Sequence, residues 1–238
     1  MADDEKKIEI GNVFCFPVEK TSSGKWVHHP KEEWYLPDKE KLWGGGEKGK
    51  IYQVCRKARG CNYVMKIIRF PSYCQGDNCP YGECAYTEFL HEVFFQTEVA
   101  RLGVAPPILS SWVCTCTNPP LGVIVMPVLK ETLEDVIRNP DVKRETKEAY
   151  IQEAERIFNI LNANNIYHED SHMQNWMVDG DGRLKIIDFG LVRKFWNPVD
   201  DEKCPKTTKE TYHRYDLIEI RRMKHELDKY DPKPPIQN

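Results

Sequence analysis

The stretch Tyr167–Gly190, "YHEDSHMQNWMVDGDGRLKIIDFG", decides the fold. It carries two aspartate-centred signatures: Asp170 is followed five residues later by Asn175, and thirteen residues after Asn175 stands Asp188 in "IIDFG". Between them the runs "NWMV" and "RLKIID" flank the turn "DGDG", which predicts a β-hairpin. These residue types suit phosphoryl transfer. One carboxylate orients an attacking hydroxyl and accepts its proton, while a carboxamide and a second carboxylate supply hard oxygens for Mg²⁺ on phosphates.

Working backwards, "ETKEAYIQEAERIFNILNANN" places Ile151, Ala154, Ile157, Phe158 and Leu161 at helical spacing, one buried stripe that supports the stretch after it. Before it, "TLEDVIRN" reads as a short helix stopped at Pro140, and "GVIVMPVL" as a buried strand broken by Pro127. "AYTEFLHEVFFQTEVARLG" predicts a helix closed by Gly103, with Phe89, Val93, Phe94 and Val99 facing the core. Residues 71–84 have loop composition, and "GKIYQVCRKARGCNYVMKIIRF" predicts a hairpin turning at Gly60. Residues 1–40 lack sustained periodicity and read as an extended segment packing through Trp26 and Trp34.

Within that hairpin Lys66 is flanked by apolar residues, and burying it requires an anionic partner. Glu88, Glu92 and Glu98 on the following helix are the carboxylates on offer; the alternative is an edge-strand lysine in solvent. Seventeen residues before Lys66, Gly44, Gly46 and Gly49 complete a GxGxxG pattern that leads into a strand, with Ile51 two positions on. That context suits a flap whose backbone N–H groups approach phosphates.

A glycine loop, a lysine, an HxD with Asn at +5 and a DFG, in this order and spacing, resemble the protein kinase superfamily over about residues 41–220. The resemblance implies an α+β, bilobal fold: an N-terminal extension 1–40, a β-rich N-lobe 41–126 with a cysteine-rich insertion 71–84, and a minimal, truncated helical C-lobe 127–238. It implies that Lys66 holds the ATP phosphates and pairs with Glu92, the helix glutamate whose spacing to "GVAPPI" is similar to casein-kinase-I-like and compact viral kinases. It further implies Asp170 as catalytic base, and Asn175 and Asp188 as Mg²⁺ ligands. Met126 falls at the gatekeeper position, Pro127–Leu129 (with Val128) at the hinge, and Ile51, Val64 and Met177 around the adenine.

The departures carry information too. Glu169 stands where many kinases place an arginine, so a loop held by phosphate on that arginine is not expected. His172 replaces a customary lysine, as in small-molecule and atypical kinases, and no APE motif follows "DFGLVRKF". "TYHRYDLIEI" resembles the helix whose aspartate steadies the catalytic loop, which assigns that role to Asp216. Beyond it there is room for little more than one helix, as in KEOPS-associated kinases, RIO-like kinases and some kinases of large DNA viruses.

The expected activity is ATP- and Mg²⁺-dependent phosphorylation of serine or threonine on a protein substrate, with Thr207, Thr208 and Thr211 as candidate autophosphorylation sites. A nucleotide-binding pseudokinase and a compact ATPase or small-molecule kinase are the alternatives.

Composition bounds the rest. The 238 residues are 40% hydrophobic, enough for a real core. A net charge of −3 and a pI near 6.2 give no global field for nucleic acid, and "RRMKHE" (Arg221–Glu226) reads as a solvated helix face. The acidic, lysine-rich start is no signal peptide and no run of about 18 apolar residues exists, which places the protein in the cytosol or nucleus, not in a membrane or secreted. Nine cysteines without a secretory signal predict reduced thiols. Cys74, Cys79 and Cys84 are spaced too widely for a strong zinc signal and read as free thiols in an insertion.

Overall fold

The computed structural model describes residues 8–9, 14–15, 18–20, 26–28, 34–35, 42–45, 49–56, 59–69, 85–114, 121–194 and 209–232. The chain divides into two compact units, Met1–Phe94 with Pro107–Val128 and Phe95–Pro106 with Leu129–Asn238. Gly46, Cys74, Cys79, Cys84, Thr207 and Thr208 lie outside the described residues, as does the side chain of Thr211.

The first unit is a β-sheet carrying a helix segment. Two short antiparallel pairs come first: β1 (Ile8–Glu9) with β2 (Phe14–Cys15), and β3 (Val18–Lys20) with β4 (Trp26–His28). The main sheet holds β5 (Trp34–Tyr35), β6 (Leu42–Gly45), β7 (Gly49–Arg56), β8 (Gly60–Arg69), β9 (Ser110–Cys114) and β10 (Leu121–Pro127). Its order is β5-β7-β8-β10-β9, with β6 also on β7. The segment 1–40, expected to be an extension, thus supplies a strand to this sheet. Trp34 is buried, stands edge-on to Tyr63 at 5.0 Å and donates its indole N–H to Ser110 Oγ at 3.3 Å.

Strand alternation sorts the side chains of β8 and β10 onto two faces. Met65, Ile67, Val123 and Val125 join Trp34 and Trp112 on one, while Val64, Ile68, Ile124 and Met126 join Phe89 of α1 (Ala85–Arg101) on the other. Gly122 shares the second face. A Cβ there would stand 2.5 Å from the Phe89 ring, with two more ring atoms at 2.9 Å, so the missing side chain is what lets this helix segment seat. Gly122→Ala is expected to destabilise the fold by about 1–3 kcal/mol through overpacking, and a urea unfolding curve checks it.

Two expectations fail here. Phe94 is exposed, and Phe95 is buried instead, because the helix period that buries Phe89 carries the inner face through Glu92, Phe95, Gln96 and Val99. The expectation of reduced thiols fails at Cys55 and Cys61, which are joined in a disulfide across the β7–β8 hairpin; Cys114 is also disulfide-bonded. The hairpin turn brings these two cysteines onto facing strands, a proximity that the cysteine count alone does not encode.

The second unit is built on α2 (Leu133–Arg138), α3 (Arg144–Ala163) and α4 (Lys209–Tyr230). β11 (Glu131–Thr132), β13 (Trp176–Val178) and β14 (Leu184–Ile186) make one small sheet; β12 (Ile166–Tyr167) and β15 (Arg193–Lys194) pair separately. Thr132 and Asp135 close a capping box at the start of α2. The predicted stripe of α3 is buried in full and packs with Ile220, Met223 and Leu227 of α4, Trp176 and Phe189. Lys147, which sequence alone would leave in solvent, is only 1% exposed and its ammonium lies 3.3 Å from Asp231. Arg221, Arg222 and Lys224 are exposed on α4, the latter two paired with Glu219 and Glu155. No helix among the described residues is long and apolar enough to cross a membrane.

Candidate active site

Lys66 occupies the middle of β8, opposite Ile51 of β7 on one side and Ile124 of β10 on the other. It is therefore not an edge-strand lysine. Alternation places it between Val64 and Ile68 on the face covered by α1, and Glu92, one turn beyond Phe89, meets it there. Lys66 Nζ donates to Glu92 Oε1 at 2.6 Å, with the two side chains 13% and 6% exposed. Burial at this level makes the pairing obligatory for both charges. The apolar cluster around the pair contains Val64 and Met126, with Ile51 and Val128 packed against it.

The predicted glycines are placed unequally. Gly44 lies in β6 opposite Ile51. Gly49 begins β7, where a Cβ would stand 2.9 Å from the Ile67 carbonyl oxygen, so close approach of the neighbouring strand already requires a glycine there.

In the second unit, the loop between β12 and β13 carries Asp170 and Asn175. Asn175, in a short 3₁₀ turn, points its amide nitrogen at the Asp170 main-chain carbonyl (2.7 Å) and at Asp170 Oδ2 (3.3 Å). Its own backbone ties the loop at both ends: the Asn175 N–H donates to the His172 carbonyl, and the Ile187 N–H donates to the Asn175 carbonyl at 2.9 Å. Trp176 adds an indole N–H bond to the Ser171 carbonyl. His172 Nε2 stands 3.5 Å from Asp170 Oδ1. Met177 lies on β13, opposite Thr132 and Lys185.

His168 was not singled out by sequence reasoning, although it opens the HxD triplet. It is fully buried, edge-on to Phe189 at 5.2 Å, and its Nε2 lies 2.9 Å from the Ile187 carbonyl. A carbonyl only accepts, so Nε2 carries the proton, and the buried Nδ1 has no partner among the described residues. Burial holds the imidazole well below its ordinary value, to about 4. A neutral ring therefore connects the Asp170 loop to the strand end that delivers Asp188. Asp188 itself adopts φ 65°, a left-handed conformation that costs a non-glycine residue about 1–3 kcal/mol and persists only where the surroundings impose it.

Asp216 is buried, but its carboxylate accepts from Asn162 Nδ2 of α3 at 3.0 Å and has no bond to the Asp170 loop among the described residues. Its sequence-assigned role is corrected accordingly: it ties α4 to α3. Burial raises this acid to about 7. Its stability contribution is present below the unfolded value of about 4 and is lost as pH rises through 7, whereas that of His168 is present above about 6.5 and is lost as pH falls towards 4. The two oppose each other between pH 4 and 6.5. Asp216→Asn removes one of them, so the variant's melting temperature is expected to climb more steeply with pH across this window than the wild type's; parallel profiles would contradict the assignment.

Asn175 and Asp188 fit Mg²⁺ chemically. With its amide nitrogen turned to Asp170, Asn175 presents its carbonyl oxygen, and Asp188 offers a carboxylate. Mg²⁺ takes such hard oxygens, one or two from protein and the rest from phosphate and water. Among the described residues no group of three or more His, Cys, Asp or Glu is placed to hold a metal, and a two-oxygen site does not require one.

The protein kinase domain family matches residues 38–229. With its β-rich unit, its helical unit and this match over most of its length, the chain belongs to the protein kinase family, and the α+β kinase fold expected from the sequence is the one observed. It is similar to RAC-beta serine/threonine-protein kinase A of Xenopus laevis, 28% identical over 168 residues, covering 70% of this chain and 32% of that protein. Protein kinase C-like 1 of Caenorhabditis elegans is 26% identical over 161 residues, covering 66% and 21%. Mitogen-activated protein kinase 12 of Oryza sativa subsp. japonica is 32% identical over 75 residues, covering 31% and 13%. The chain thus spans at most 32% of the length of these relatives.

Proposed function

We propose that this chain is an active serine/threonine protein kinase that transfers the γ-phosphoryl group of ATP, with Mg²⁺, to a protein hydroxyl. The observation that carries the reading is the clamp of Asn175 on Asp170, which holds a carboxylate for an acceptor hydroxyl through the amide nitrogen and leaves the carboxamide oxygen out of that contact. A scaffold has no chemical need for that arrangement beside a strained Asp188. The relatives named as serine/threonine or mitogen-activated protein kinases support a protein acceptor.

In this reading each residue has a defined task. Lys66, oriented by Glu92, neutralises phosphate charge; Asn175 and Asp188 would hold Mg²⁺, which supplies charge neutralisation at the transferring group. Asp170 aligns the acceptor hydroxyl and receives its proton. Most of the rate enhancement then comes from positioning. Ile51, Val64, Met126, Val128 and Met177 are assigned to the adenine, and the Gly44–Gly49 loop to the phosphates.

Incubating purified protein with radiolabelled ATP, Mg²⁺ and a generic basic acceptor protein, then hydrolysing the product to its amino acids, tests this. Label on phosphoserine or phosphothreonine is expected. Phosphate release with no labelled protein would favour an ATPase, and nucleotide binding with neither product a pseudokinase.

A further inference from the structure

Glu169 lies between two functional residues in sequence, and its geometry is unusual on two counts. It adopts φ 56°, a backbone conformation unfavourable for a side chain of its kind. Its carboxylate Oε1 lies 2.8 Å from Arg193 Nε, an ion pair. Arg193 is in β15, directly opposite Tyr167 of β12, with Ile166 opposite Lys194. The chain leaving Asp188 therefore returns to the strand that enters the Asp170 loop, and the ion pair closes that contact one residue before Asp170. The contact lies at the surface: the side chains of Glu169 and Arg193 are 22% and 59% exposed.

We propose that Glu169 and Arg193 form a built-in lock that fixes the segment after Asp188 against the loop carrying Asp170, so that the site is assembled without phosphate on that segment. The inference rests on the kinase reading above. Both are positioning residues: Glu169 acts on Asp170 through the intervening peptide and on Asp188 through Arg193 and β15. The charges are placed so that an anion brought to this contact would be repelled by Glu169 and would compete for Arg193. Phosphate is therefore no substitute for the lock.

Its strength bounds the expected effect. A pair this exposed on one side shifts the population of the locked arrangement by at most about five-fold, so Glu169→Gln should lower kcat about two- to five-fold. Glu169→Arg sets two like charges together and should lower kcat by about ten-fold or more, since small misplacements near the chemistry are amplified in rate. KM for ATP is expected to change less than kcat, because the Glu169–Arg193 contact includes none of Lys66, Ile51, Val64, Met126, Val128 or Met177. Glu169→Gly relieves the backbone conformation but removes the carboxylate, and should behave like Glu169→Gln.

The test is a charge swap. Transfer rates are measured for wild type, Glu169→Arg, Arg193→Glu and the double variant carrying both, each before and after phosphatase treatment, with melting temperature as a check on folding. Each single variant should lose kcat, the double variant should recover to within about three-fold of wild type, and phosphatase should change no rate. A double variant as impaired as the worse single one, or wild-type activity that collapses on dephosphorylation, overturns the lock. If a single variant fails to fold, the Glu169→Gly rate decides in its place: an unchanged kcat overturns the lock. Absence of transfer by the wild type would instead refute the kinase reading, so the two failures are distinguishable.

Discussion

Asp170→Asn is expected to reduce phosphoryl transfer by about 10²–10⁴-fold while leaving ATP binding within about two-fold of wild type. The substitution keeps the shape of the side chain and an oxygen that can accept from Asn175 Nδ2, and the stronger 2.7 Å bond to the Asp170 main-chain carbonyl is untouched. What it removes is the negative charge and the capacity to take a proton from the acceptor. Because the loop is also held by His168, by the His172–Asn175 backbone bond and by Trp176, the variant should melt close to the wild type. A loss of transfer without loss of stability or nucleotide affinity is the signature of a group acting in the chemical step. Single-turnover kinetics with a nucleotide-binding isotherm would read both quantities.

Lys66→Met is expected to abolish transfer and also to destabilise the first unit. The reason is electrostatic: with the ammonium gone, Glu92 is left as a charge 6% exposed to water. Removing one partner of a buried pair costs about 3–5 kcal/mol, which for a chain of this size lowers the melting temperature by roughly 10 °C. Replacing both, Lys66→Met with Glu92→Leu, should restore most of the stability, since an apolar pair suits the cluster of Val64, Ile68 and Phe89 around it. It should not restore activity. Stability rescued without catalysis would separate the structural cost of the pair from its role at phosphate; a fully stable Lys66→Met single variant would contradict the burial argument.

How far the sequence reveals this molecule depends on the range of the interaction. Helical period marks the inner stripe of α3, and the two-residue alternation of a strand, applied to β8, places Lys66 with Val64 and Ile68. The spacing of Asp170, Asn175 and Asp188 is legible because one short loop and one hairpin contain all three. By contrast, Trp34 finds Ser110 across 76 residues, and no local pattern announces that its strand joins the sheet. Glu169 and Arg193 are ordinary charged residues until β12 and β15 pair, and Lys147 reads as a surface lysine until α4 brings Asp231 to it. Phe94 and Phe95 are adjacent and equally apolar, so only the docked rotation of α1 decides which is buried. Asp216 shows the same limit: family likeness assigns it to the catalytic loop, whereas its carboxylate accepts from Asn162.

Phosphoryl transfer by this chain's own residues is tested by label transfer from radiolabelled ATP to serine or threonine of a protein acceptor, run side by side for wild type and Asp170→Asn. Incorporation by the wild type and none above background by the variant are expected. Equal incorporation by the two, or none by a folded, ATP-binding wild type, would contradict that expectation.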